Sequence, residues 1–438
     1  MILGVVPDVT RSLDGIPLAR QPDEADRRAE VVLPRVGAGF IALYALAYIS
    51  TSLLFLAPLL VTLALKVNAL VGTDRAPKSL SLVAGVAALL AMFANPFFGR
   101  LSDRTSSRWG RRRPWMVVGL LGGSSGVLVV ALAPNVAVVL VGWCVAQVFF
   151  NALLAALLAV LPDRVPAAQR GSVSGVLGVC VPIASVTGTF VVKLFSGSQL
   201  AMFMVPCAIG GLFILLFAAR LDDETLAADD KPAWSLRELA RTFYFDPRKA
   251  PDFAWVFASR FLFVLAYAFL ATYQTYYLLE QLGTAEDDVP GRVFLGTLVQ
   301  SAVVVTASVL GGRLSDRVGR RKVFVLAAST VYGIAMFVIA VASSFDGFLV
   351  GMAIGGLGFG VYVAVDLALA ADVLPDRGSA AKDLGVLNIA GALPFSLAPA
   401  VAPAILAVAG GSYGVLFAVA GVSALLGAAA VLPVRGAR

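Results

Sequence analysis

Apolar residues in this chain come in long blocks rather than in short alternating patterns. From residue 40 onward, runs of mostly apolar residues recur between short breaks that carry most of the charge. A run of about 20 such residues is what an α-helix needs to cross the hydrocarbon core of a bilayer. Barrel strands would show an apolar and polar alternation that is missing here, so helices are the only spans that satisfy the backbone. The breaks predict twelve spans. The first six cover 40–65, 80–98, 115–132, 136–161, 173–192 and 200–219; the second six cover 253–279, 293–311, 323–342, 348–374, 384–408 and 413–432.

Composition supports the same reading: 59% of the 438 residues are hydrophobic and 14% are charged, more apolar side chain than a soluble core buries. Residues 1–36 mix acids and bases and contain no apolar stretch long enough for a signal-peptide core. They are read as a cytoplasmic tail. Cys144, Cys180 and Cys207 fall inside predicted spans without paired spacing, so neither a disulfide framework nor a thiolate metal site is expected. With no histidine, no metal-ligand cluster and no nucleophile–base pair at membrane depth, an enzyme is not expected, and neither is a cofactor.

The charge is placed by loop. Arg100, Arg104, Arg108, Arg111, Arg112 and Arg113 follow the second span, and Arg313, Arg317, Arg320, Arg321 and Lys322 follow the eighth. The positive-inside rule puts both loops and both termini in the cytoplasm, with the chain multi-pass in the inner membrane. The net charge of +7 then reflects orientation in the lipid bilayer, and nucleic acid is not an expected partner.

Two exact repeats share one offset. Gly-Arg-Leu-Ser-Asp-Arg stands at Gly99 and again at Gly312, and Leu-Pro-Asp-Arg at Leu161 and again at Leu374, each pair 213 residues apart. The chain therefore reads as a duplicated six-helix unit: a bundle over 37–219, a charged cytoplasmic connector over 220–252 and a second bundle over 253–438. Parallel repeats of this size with a site between them are the plan of secondary transporters.

In each copy the hexapeptide closes a span, turns and runs into a basic cluster. This resembles the signature of the major facilitator superfamily. The resemblance implies an all-α fold of twelve transmembrane helices in two bundles, a small-molecule substrate moved by alternating access, and a gating role for Asp103, Arg104, Asp316, Arg317 and Arg112. The alternative for these residues is a plain topology anchor. The longer first copy, Ser102 to Trp115, is similar to that of the glycoside and cation symporters related to melibiose permease, and to the sucrose carriers. That resemblance implies a sugar or glycoside driven by sodium or a proton. At the positions of that family's paired cation-binding aspartates stand Ala91 and Asn95. A hard cation site needs several oxygen ligands and usually carboxylate charge, so the proton is the expected coupling ion, with facilitated diffusion as the alternative. An exporter of drugs or secondary metabolites is the runner-up, although its signature is broken by Val181 before Pro182 and by Ser185 and Val186 in place of the paired glycines. A non-transporting membrane sensor is more distant, and a monomer is expected.

Polar residues inside spans supply the candidate site. Arg260 and Asp366 lie seven and eight residues from the cytoplasmic ends of spans seven and ten, roughly 10 to 12 Å deep. Charges there are costly and need a partner or a cavity, so the two are expected to pair or to share water, with Asp366 as the coupling group; a static pair is the alternative. Spans one, four, seven and ten, which line the cavity in the superfamily resembled, carry polar or aromatic residues at i and i+4, on one face. From these come Tyr44, Tyr48, Gln147, Asn151 and Tyr362 as substrate-binding candidates, with the amides Gln274 and Asn388. Tyr273, Tyr276 and Tyr277 read as interfacial belt residues, and Lys66 and Lys193 as snorkelling side chains.

Overall fold

A computed structural model of the protein describes residues 34–223, 225, 248, 250–373 and 380–435. Residues 1–33 of the expected tail over 1–36, most of the connector, and the second Leu-Pro-Asp-Arg at 374–377 lie outside the described residues. Twelve helices are long and apolar enough to cross a membrane, and the described residues contain no strand. In chain order they are α1 (Ala38–Val71), α2 (Ala76–Asp103), α3 (Arg113–Leu132), α4 (Val136–Arg164), α5 (Ala167–Leu194) and α6 (Gln199–Arg220). The second six are α7 (Pro251–Gln281), α8 (Val289–Val318), α9 (Arg321–Val341), α10 (Phe345–Asp372), α11 (Ala380–Ala392 continued as Pro394–Val408) and α12 (Tyr413–Val431).

Helix ends follow local chemistry. Four connections at the end away from the arginine-rich loops start the next helix with a side-chain cap: Asn135 Oδ1 accepts from the Val138 amide at 3.1 Å, and Ser198, Ser344 and Ser412 act in the same way. Each occupies an amide the helix itself leaves unpaired. At the arginine-rich end the helices outrun the expected spans. The hexapeptides do not turn; they form the last turns of α2 and α8, and the chain turns only after Asp103 and at Gly319, whose φ is +66°. A polar sequence can extend a helix there because it stands at the membrane surface, where apolar content no longer decides the conformation. Prolines act unequally: α5 stays continuous through Pro182, whereas α11 is interrupted at Leu393, before Pro394.

Within the first half, α1 packs on α5 and α6, α4 on α2 and α3, and α3 on α6; within the second, α7 packs on α11 and α12, α10 on α8 and α9, and α9 on α12. Lipid tails give helices no hydrophobic reason to associate, so small residues that let backbones approach carry the contact. A Cβ added at Gly126 of α3 would stand 2.5 Å from the Ala146 amide nitrogen of α4. Contacts between halves run along α1 with α7, α2 with α11, and α5 with α8.

The two halves are joined at the end away from the arginines. Ser81 Oγ and Tyr273 Oη lie 2.6 Å apart, Thr275 Oγ1 donates to the Leu60 carbonyl at 2.8 Å, Tyr276 Oη to the Ala64 carbonyl at 3.1 Å, and Asn68 Nδ2 to Glu286 Oε1 at 3.4 Å. Lys193 adds a cation–ring contact to Phe294 at 5.3 Å. At the arginine-rich end α4 and α10 have no extensive contact with each other among the described residues.

This arrangement corrects two expectations. Tyr273, Tyr276 and Tyr277 are not belt residues: all three are fully buried, because their hydroxyls find carbonyl or hydroxyl partners inside the bundle, Tyr277 on the Ile339 carbonyl at 2.7 Å. Lys66 does not snorkel. It is 5% exposed, and its ammonium donates to the Ala131 carbonyl and to Gln199 Oε1, both at 2.9 Å. Carbonyls at a helix C-terminus carry partial negative charge that suits a cation.

Candidate functional site

Between the halves lies a cavity of about 380 Å³. Asn95 of α2 and Gln147 and Asn151 of α4 place amides on one wall, and Asn388 of α11 faces them from the second half. The first three are linked: Asn95 Nδ2 donates to Asn151 Oδ1 at 3.5 Å, and Asn151 Nδ2 donates to the Gln147 carbonyl at 2.8 Å. Phe55, Met92, Trp143 and Phe395 supply the larger apolar surfaces, and none of the lining residues is charged. Leu158, near the arginine-rich end of α4, is 40% exposed while lining the cavity. The cavity thus opens toward that end, and the far end is sealed.

Not every expected binding residue reaches this space. Tyr44 is fully buried inside the first bundle, where its hydroxyl donates to the Leu157 carbonyl at 2.9 Å and its ring stacks on Phe217 at 5.3 Å. It does not line the cavity. Tyr48 is half-buried and does not line it either. Tyr44 finds carbonyl and ring partners inside the bundle, which a face argument from i and i+4 spacing does not foresee. Gln274 lines a different, closed chamber of about 10 Å³, together with Leu60, Ser185, Tyr267, Thr297 and Gln300.

Behind the α11 wall sits the charged group of the second half. Arg260 Nη1 donates to Asp366 Oδ2, and Tyr362 Oη donates to Asp366 Oδ1 at 2.8 Å. The Tyr362 ring stacks on Phe263 with centroids 3.6 Å apart. Asp366 is 5% exposed. Arg260 reaches α11 as well: a Cβ at Gly391, three residues from Asn388, would stand 3.6 Å from its Nη2. The Arg260 Nε is buried without a hydrogen-bond partner among the described residues. The pair expected from depth in the sequence therefore meets, and Tyr362 turns out to be its third member rather than a cavity residue.

At the arginine-rich surface Arg112 collects the first half's motifs. Its guanidinium donates to Asp103 Oδ1 at 2.7 Å, to Asp163 Oδ2 at 2.8 Å and to Ser102 Oγ at 2.7 Å. Arg111 adds a second bond to Asp163 at 2.9 Å. Burial by itself would lower the Arg112 pKa, but the Asp163 and Asp103 carboxylates outweigh it and hold the group above its ordinary value. The amides of Arg112 and Arg113 both donate to Asp223 Oδ2, at 2.6 and 2.9 Å. Gly110, with φ +95°, makes that approach possible: a Cβ there would fall 2.2 Å from Asp223 Oδ2.

Every partner of Arg112 belongs to the first half or the start of the connector. Among the described residues Arg112 makes no bond to the second half, so no gating contact between the halves runs through it in this conformation. Arg104 caps α2. In the second copy Asp316 and Arg317 are exposed, and Asp316 has no ion-pair partner among the described residues. Arg321, which follows Gly319 as Arg112 follows Gly110, pairs instead with Asp372 at 2.7 Å. Sequence reading missed Asn95 as a cavity amide, the sealing role of Tyr273 and Tyr276, and Asp163. The second Leu-Pro-Asp-Arg match held the signal for Asp163, since an acid repeated at a fixed offset beside a basic loop marks a partner.

Compared with known proteins, the chain matches the model of the Major Facilitator Superfamily over residues 38–298 and 293–437. Its fold is similar to that of a single-substitution mutant of the nucleoside transporter NupG, with a TM-score of 0.73, 12% identity and coverage of 90% of this chain and 99% of that one. It is also similar to the human organic anion transporter MFSD10, with a TM-score of 0.64, 16% identity and coverage of 89% and 98%. No curated protein matches the chain.

Proposed function

The chain belongs to the major facilitator superfamily and is a membrane transporter of small solutes, and we propose that its solute is an uncharged hydroxylated molecule, a sugar or glycoside, carried by alternating access with proton coupling. The observation behind the solute class is the cavity wall. Four amides, each able to donate and accept, converge with aromatic and apolar surface and with no charged side chain. A polyhydroxylated solute gives up water hydrogen bonds on binding, and amides replace both kinds. An anion, the cargo named for MFSD10, would find no basic side chain on this wall. A nucleoside, the cargo named for NupG, is uncharged and would suit the same amides.

Coupling falls to Asp366 in this reading. Protonating its carboxylate cancels the charge that Arg260 pairs with and frees Arg260, which stands against the α11 wall of the cavity. A buried pair whose bonding depends on one proton is a two-state element, and the halves can be biased by it. The arginine-rich loops are taken as cytoplasmic, so this conformation faces the cytoplasm. The second reading, an exporter of amphipathic compounds, draws on the aromatic surface of Phe55, Trp143 and Phe395.

Uptake into proteoliposomes tests both readings. Labelled mono- and disaccharides and nucleosides are offered with and without an imposed proton gradient, to the native protein and to Asp366→Asn and Asn151→Leu. Gradient-driven sugar accumulation that Asp366→Asn abolishes supports the proposal. Absence of sugar movement under any gradient would sink the sugar assignment, and accumulation that persists in Asp366→Asn would sink the coupling role.

A further inference from the structure

Leu59 and Leu60 are neighbours in α1, yet Leu59 lines the open cavity and Leu60 the closed chamber. They lie in a π-helical turn, Pro58–Thr62. Such a turn carries one extra residue, disturbs the regular ladder of carbonyl bonds and recurs at functional positions. Here the Leu60 carbonyl also accepts Thr275 Oγ1 from the second half. One turn of α1 therefore divides two spaces and bonds across the seam between the halves.

Beyond this turn the chamber is lined by polar groups, of which the Ser185 hydroxyl is already satisfied by the Val181 carbonyl at 3.1 Å while others lack partners. Gln274 is 3% exposed, faces the chamber, and its amide has no hydrogen-bond partner among the described residues. Gln300 Nε2 is buried and unpaired. Thr297, 4% exposed, adds a hydroxyl. A buried amide without partners is costly and is otherwise rare, so its presence points to something else that supplies the bonds. At about 10 Å³ the closed chamber has room for about one water. Its walls come from both halves, with Leu60 and Ser185 from the first and Gln274, Thr297 and Gln300 from the second. Parting the halves at the sealed end would open it.

We propose that this chamber is a second solute subsite, hydrated while sealed and taking the hydroxyl or amide edge of an uncharged solute when the far end opens, with the π-turn of α1 as the septum between it and the central cavity. The inference rests on the reading that an uncharged solute passes between the halves.

Two measurements test it. In a protein with Cys144, Cys180 and Cys207 replaced by serine, Thr297→Cys and Ser185→Cys are reconstituted separately and exposed to a membrane-impermeant methanethiosulfonate from each side. Both should react from the side opposite the arginine-rich loops and be protected from the other. Labelling from the arginine-rich side, or from neither side, would overturn the chamber's place on the route. Separately, with labelled glucose, sucrose and uridine as probes, Gln274→Leu and Gln300→Leu should each raise the half-saturating concentration about 5- to 10-fold from the far side, the loss of one hydrogen bond. From the arginine-rich side the change should stay within about twofold. Equal effects on both sides, or none, would overturn the subsite. Asn151→Leu separates the two proposals: if it carries the probes normally while Thr297→Cys labels as expected, the central-cavity reading fails and the chamber stands.

Discussion

The two halves share two sequence motifs at one offset of 213 residues, yet they handle polarity at membrane depth in different ways. The residues 213 positions before Asp366 and Arg260 are Leu153 and Ala47, both fully buried in the first half. The same six-helix unit is therefore built with an apolar pair in one copy and an ion pair in the other. A buried ion pair seldom stabilises a fold more than apolar residues of similar volume do, so packing gives no reason for the second half to keep one. The first half in turn supplies three of the four cavity amides. Solute contact and charge have been divided between the copies. Their surface motifs differ as well: Arg112 is nearly buried among Asp103, Asp163 and Ser102, whereas Arg321 and Asp372 are each about one-third exposed.

That division can be broken by substitution. The largest effect is expected for Asp366→Asn, which should reduce proton-driven accumulation by about 100-fold or more while leaving exchange of solute across the membrane measurable, since the cavity wall is untouched. Next, Arg260→Ala should lower stability by about 3 to 5 kcal/mol by stranding the Asp366 charge, read as a drop in thermal unfolding temperature in detergent. The double variant Arg260→Ala with Asp366→Leu restores the pattern of the first half and should recover most of that loss without recovering accumulation. If the double variant is as unstable as the single one, the pair is structural after all. Arg112→Ala should cost about 2 kcal/mol, between the buried and exposed limits because Asp103 is 47% exposed. Arg321→Ala should cost less than about 1 kcal/mol in the same assay. Equal losses from these last two would mean that the surface motifs are equivalent despite their different burial.

Much of this was legible in the chain. Span count, helix type and duplication followed from apolar block length and two repeated motifs, because each helix satisfies its own backbone and its length is set by the bilayer. The Arg260 and Asp366 pairing could be read from depth alone, since two opposite charges at one level of a membrane have few alternatives to each other. Tyr44 marks the limit. Its position and spacing matched those of a cavity residue, but its hydroxyl is taken by the Leu157 carbonyl, a partner 113 residues away that no local pattern announces. Gln274 carried the same kind of signal and reaches a chamber rather than the main cavity.

The linear sequence by itself determined a twelve-helix, duplicated membrane protein and the depth of its charges, because those properties depend on each segment's own exchange between water, lipid and backbone hydrogen bonds. Tertiary structure alone decided which amides share a wall, that Tyr273 and Tyr276 seal one end, and that a π-turn divides two spaces. Those outcomes depend on the rotation of each helix about its axis and on which half it meets. Between apolar surfaces that differ little from lipid, such rotations are set by close packing and by a few hydrogen bonds between distant residues.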